Sequence, residues 1–207
     1  MRIWLSFAAL VFVFFAAEAF GSRAAALAAK PLPVVVLAGA VWVGGRAPLR
    51  RGVTIGLLAS AVGDLLLGLD LFLPGLVAFL CAHLAYLGAF VSDTRAPALG
   101  RGLPFAAWGL LLLGRLWPSL GALAWPVAFY VLAICAMMWR AAARVGHATG
   151  ASAAAGLAGA VSFGISDSLI AWDRFLAKIG GVLVPVMLFY WLGQAGIAFA
   201  ALDKENR

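Results

Sequence analysis

Charge is scarce in this sequence. Asp, Glu, Lys and Arg make up only 11% of its 207 residues, whereas 65% are hydrophobic and the mean hydropathy is +1.06. A water-soluble domain of this length has too little interior for that much apolar surface, so a soluble enzyme or binding module is excluded. Alternation of polar and apolar residues is missing too. The apolar runs are continuous, which excludes a transmembrane barrel and leaves an all-α, polytopic membrane bundle. Residues 1–207 leave no room for a separate soluble domain, so the chain reads as a single integral membrane domain.

Metal-binding and nucleophile motifs are equally thin. The two cysteines, Cys81 and Cys135, lie inside apolar runs with no CxxC, so neither a disulfide framework nor a zinc site is expected. One intramembrane histidine with two aspartates is a poor ligand set for zinc. No GxSxG, P-loop or GxGxxG occurs, and no metal or cofactor is expected. The net charge of +7 would suggest nucleic acid in a soluble protein. Here the basic residues fill short gaps between apolar runs, so the expected partner is the lipid bilayer and no nucleic acid.

Eight apolar segments are present, at roughly 3–20, 31–45, 52–69, 74–92, 99–114, 119–140, 151–172 and 178–202. The first resembles a signal peptide in part, because Arg2 precedes it and Ala17, Glu18 and Ala19 resemble a cleavage site. It is long for such a leader and reads as the first span. Alternate gaps then face opposite sides. Arg2, Arg46, Arg50, Arg51, Arg95, Arg101, Arg140, Arg144, Lys204 and Arg207 fall on one side, here side A. Arg23, Lys30, Arg115, Arg174 and Lys178 fall on side B. The excess of basic residues predicts that side A, with both termini, is cytoplasmic and that the protein is a multi-pass protein of the cell membrane. Trp4, Trp42, Trp117, Trp125, Trp139 and Trp172 lie near segment ends, as interfacial belts do.

Against that background, polar residues inside the spans carry information. Asp64 and Asp167 each sit about five residues before the side-B end of a span, about 8 Å deep. His83 lies about 13 Å in from the same side. Tyr190 and Gln194 are i,i+4 neighbours on the last span. Phe79, His83, Tyr86 and Phe90 form one helical stripe, and so do Ala160, Gly164, Asp167 and Ala171. Intramembrane acids are costly and face the bundle interior, so Asp64 and Asp167 are expected to share a polar pocket. His83, Tyr86, Ser166, Tyr190 and Gln194 are the candidates to line it. A purely structural reading has Ser166 and Ser168 satisfying Asp167, and the other polar groups acting as interhelical hydrogen bonds. Glu18 and Asp70 lie near a boundary and read as solvated.

The stretch GDLLLGLDLFLPGLVAFLCAHLAYLGAF at 63–90, followed by SFGISDSLIAWDRF at 162–175, resembles the YhhN/TMEM86 family of eight-span membrane proteins. The resemblance is carried by Gly63, Asp64, Phe72, Gly75, Phe79, His83, Tyr86 and Phe90, by Gly159, Ala160, Phe163, Ser166, Asp167 and Phe175, and by Tyr190 and Gln194. It implies a lysoplasmalogenase: a hydrolase that cleaves the vinyl ether of 1-alkenyl-glycerophosphoethanolamine or -choline to a fatty aldehyde and a glycerophospho-base. It also places the catalytic acids on Asp64 and Asp167. Two carboxyls suit that chemistry, because one must deliver a proton while the other stabilises an oxocarbenium ion and activates water. Close carboxyls in a low dielectric divide their titrations in this way. His83 or a tyrosine would orient the carboxylate or the water. The lipid tail would enter from the bilayer, with Arg174 and Lys178 nearest the head-group phosphate. Two other readings remain: a proton-coupled transporter using the same acids, although no internal repeat is evident, and a non-catalytic lipid-binding or assembly protein.

Overall fold

The computed structural model describes residues 2–203, all of it helix and connecting turns. The helices are α1 (Arg2–Ala19), α2 (Arg23–Ala29), α3 (Leu32–Gly44), α4 (Leu49–Gly68), α5 (Phe72–Asp93), α6 (Leu103–Leu120), α7 (Ala124–Ala143), α8 (Gly150–Phe175) and α9 (Leu183–Leu202). Lys204 and Arg207, two of the side-A charges, lie outside the described residues.

Seven helical stretches are long and apolar enough to cross a membrane. One of them, Leu99–Ala143, has 45 residues. A straight helix of that length would extend about 65 Å, roughly twice the hydrocarbon thickness. It folds back instead. Gly121 adopts φ +51°, open to glycine at little cost, and ends α6. Gly109 of α6 then packs on Cys135 and Val131 of α7, and the Arg101 guanidinium donates to Ala142 O at 3.1 Å. Residues early in the first arm meet residues late in the second, so the arms are antiparallel. The chain is thus an eight-crossing, multi-pass membrane bundle. Large apolar side chains such as Phe12, Val43, Leu110 and Leu111 point outward, as lipid requires.

Boundaries differ from the sequence expectation in several places, and three of them have a clear local reason. The second span begins earlier, at Arg23, and breaks between α2 and α3. Pro31 and Pro33 have no N–H to continue the helical ladder, and Lys30 lies at the break. The fifth span continues to Leu120, because Pro118 does not end it and Gly121 does. The eighth starts at Leu183 rather than 178, after a loop in which Gly181 takes φ +70°.

Two tight helix pairs position the site. A Cβ on Gly159 would lie 2.7 Å from Gly193 O, so α8 and α9 meet backbone to backbone. On α4, Gly56 leaves the space that the Tyr86 ring of α5 occupies. At side A, the buried Arg144 bonds Asp93 at 2.7 Å and Ser152 Oγ at 2.7 Å. Arg46 also reaches Asp93, at 3.0 Å, and Ser152 donates to Ala200 O at 2.8 Å. This network ties α5, α7, α8 and α9 together at the end opposite the candidate site.

Candidate active site

Three helices deliver one group of polar side chains to the side-B half. α5 brings His83, α7 brings Tyr130 and α8 brings Asp167. The Tyr130 hydroxyl donates to Asp167 Oδ2 at 2.6 Å. His83 Nε2 lies 3.2 Å from the same oxygen and 2.9 Å from the Tyr130 hydroxyl. The histidine is fully buried, whereas the Asp167 side chain keeps 15% of its surface open.

A second group forms around Asp64. The carboxyl is buried, and Tyr190 of α9 donates to its Oδ2 at 2.6 Å. Lys30 Nζ stands 4.0 Å from Oδ1. A half-buried cation beside Asp64 is not legible in the sequence, where Lys30 falls in a gap between spans. The break before Pro31 lets its long stem reach down toward Asp64.

One ring joins the two groups. Phe163 lies edge-on to His83, with centroids 4.7 Å apart, and to Tyr190, at 5.3 Å. Phe79 packs on both Phe163 and Tyr190. Tyr86 donates to Gln194 Oε1 at 2.6 Å, and its ring also touches Phe163. Of the residues singled out from the sequence, His83, Tyr86, Tyr190 and Gln194 therefore gather around Phe163. Ser166 does not. Its hydroxyl donates to Val186 O of α9 at 3.0 Å, as a helix-packing bond. Ser168 donates to Gly164 O and accepts from the Trp108 indole, so neither of these bonds supplies Asp167. Tyr130 is the functional candidate that the sequence reading missed.

A narrow cavity of about 60 Å³ opens beside Asp167. Its wall is apolar, with Leu67, Phe72, Leu76, Val127, Ile170 and Phe175, and its polar groups are Tyr130, Asp167 and Ser168. Asp64 is not part of this wall. At the rim the Arg174 guanidinium lies 3.7 Å over the Phe72 ring, and Phe72 meets Phe175 edge-on. Lys178 is exposed and paired with Asp173 at 2.9 Å. A second depression, of about 380 Å³, is lined by Glu18, Arg23, Lys30 and Asp70 together with Phe14, Leu27 and Leu67. Leu67 thus borders both spaces. Among the described residues, no three of His, Cys, Asp and Glu approach closely enough to hold a metal ion.

The YhhN family model matches residues 25–201, the whole region that carries both groups. The chain belongs to the YhhN family. It is 37% identical over 180 residues to human lysoplasmalogenase TMEM86B, covering 84% of this chain and 74% of the relative. Human lysoplasmalogenase TMEM86A is 34% identical over 168 residues, covering 77% and 68%. A lysoplasmalogenase of Mycobacterium tuberculosis is 35% identical over 173 residues, covering 76% and 64%. No solved structure matches.

Proposed function

We infer that this YhhN-family protein is a membrane-embedded hydrolase that cleaves the vinyl ether of lysoplasmalogens. The observation that carries the reading is Asp167: a carboxyl set in the wall of an otherwise apolar cavity, in a chain similar to lysoplasmalogenases over most of its length. The apolar lining of the cavity suits an alkenyl chain entering from the bilayer.

The reaction consumes one water. A proton goes to the β-carbon of the vinyl ether, leaving an oxocarbenium ion. Water adds to the cationic carbon and loses a proton, and the hemiacetal collapses to a fatty aldehyde and the glycerophospho-base alcohol. Asp167, held by Tyr130 and His83, is the partner that faces the cation and takes up the proton of the attacking water. Asp64, bonded by Tyr190 and with Lys30 4.0 Å away, is the second carboxyl and the source of the proton given to the β-carbon; as the hemiacetal collapses, Asp167 passes its proton to the departing glycerol oxygen and Asp64 takes the hemiacetal hydroxyl proton, which restores both acids. His83 and Tyr130 are positioning residues that fix the Asp167 carboxylate. The substrates are 1-alkenyl-glycerophosphoethanolamine and -choline. Side A with both termini is assigned to the cytoplasm and the protein to the cell membrane, from the distribution of basic residues.

The test is release of fatty aldehyde from a lysoplasmalogen by purified protein in neutral detergent. Turnover by wild type and its loss in a folded Asp167→Asn variant are expected. Absence of aldehyde release from folded wild type would overturn the reading.

A further inference from the structure

The depression beside the apolar cavity is the less expected feature of the side-B half. Its wall mixes charges of both signs, unlike the cavity on the other side of Leu67. Arg23 and Asp70 satisfy each other at the exposed rim, 2.6 Å apart. Lys30 Nζ has three N–H donors, and its one acidic neighbour, Asp64, stands at 4.0 Å, beyond hydrogen-bond distance. Glu18 has no cationic partner among the described residues and is exposed on α1. The space therefore offers a half-buried ammonium with free donors and an exposed carboxylate with free acceptors.

We propose that this depression is the head-group site of the lipid substrate and that it selects a zwitterion, with a phosphate diester on Lys30 and a cationic amine on Glu18. This rests on the hydrolase reading above. A simple phosphate would satisfy Lys30 but leave Glu18 unanswered; an ammonium-bearing head completes both. Leu67 then marks the boundary between head and tail. A lipid with its chain in the apolar cavity and its head here carries its vinyl ether past Leu67, since that bond joins chain to glycerol. Asp64 lies one helical turn before Leu67 on α4, buried behind that side chain, and Asp167 lies in the cavity wall. Lys30 and Glu18 are specificity residues in this arrangement, and Arg174 and Lys178 are left to the rim.

Binding of soluble head-group analogues tests this without turnover. The probes are sn-glycero-3-phosphoethanolamine and glycerol 3-phosphate, titrated calorimetrically against full-length protein in an uncharged detergent, with thermal melts as a fold check. Wild type should bind the ethanolamine probe saturably and about tenfold more tightly than glycerol 3-phosphate, as expected for one charge-assisted contact. Glu18→Gln, at an exposed position, should abolish that preference without lowering the melting temperature. Lys30→Gln should weaken both probes. Equal affinity of wild type for the two, no saturable binding, or a preference that survives Glu18→Gln would overturn the proposal. The two readings fail separately. Discrimination without aldehyde release removes the hydrolase, and aldehyde release without discrimination removes the head-group site.

Discussion

The Tyr130 hydroxyl stands 2.6 Å from Asp167 Oδ2, and it is also the group that holds His83 Nε2 at 2.9 Å. Tyr190 stands in the same relation to Asp64 on the other side of Phe163. Each intramembrane carboxyl therefore has its own phenol, and only Asp167 has a histidine as well. The asymmetry separates the two acids by environment, which is what a division between acid and base requires.

Tyr130→Phe deletes the donor to Asp167 and keeps the ring. A hydrogen bond to a charged group contributes about 1.5–3 kcal/mol. Turnover per folded molecule should fall about 10- to 100-fold, with a KM that changes little. His83→Ala should fall in the same range, and the double variant should be less than multiplicative, because both act on one oxygen. Strict multiplicativity in steady-state kinetics would contradict their shared role.

Lys30→Met removes the cation beside Asp64 and keeps the apolar stem. Turnover is expected to drop about tenfold or more, given a charge partner at this depth. In an Asp64→Asn background the same change should have almost no further effect on kcat at saturating substrate, because the charge it serves there is gone, while KM still rises through the lost phosphate contact. A full effect in both backgrounds, measured in the aldehyde assay, would uncouple Lys30 from Asp64.

Much of this arrangement was legible before any coordinates. Asp64, Asp167 and His83 stand out because a polar group inside an apolar run must find company, and helical spacing put Phe79, His83 and Tyr86 on one face. Tyr130 escaped notice because a tyrosine in AWPVAFYVLAICAMMW looks like any bulky apolar residue. The available signal was that the chain has only three tyrosines and all three lie inside spans. Lys30 escaped because its backbone belongs to a helix break, and span arithmetic counts backbones rather than the reach of a four-carbon stem. Ser166 was misleading for the opposite reason. Its neighbour Asp167 faces α5 and α7, and one residue along a helix turns the side chain by about 100°, toward α9. Which acid opens to the cavity depends on packing between helices distant in sequence, which no local pattern reports.

The side-A network predicts a contrasting phenotype. Asp93→Asn leaves the buried Arg144 guanidinium without its counter-charge, and breaking such a pair costs about 3–5 kcal/mol. The melting temperature should fall clearly while activity per folded molecule stays near wild type, because the network lies far from Asp167 along the bundle. An unchanged melt would show that the pair does not carry that end of the bundle.

Topology is checked with reporter fusions. Eight crossings place the end of α9 and the turn at 69–71 on opposite sides of the membrane. Fusions at those two points should report opposite compartments, with the C-terminal one cytoplasmic. The same compartment for both would remove the hairpin at Gly121 or another crossing between them.

The central claim is that Asp64 and Asp167 act together on one vinyl ether. The direct measurement is aldehyde release per folded molecule for wild type, Asp64→Asn, Asp167→Asn and the double variant, with folded protein counted by thermal melt. Asn keeps volume and hydrogen-bonding capacity but not the transferable proton. Each single variant should lose about 10²- to 10⁴-fold, and the double should be little worse than either, as groups acting as a unit are. Near-wild-type activity in both folded single variants would contradict the account. So would activity abolished by a chelator and restored by zinc.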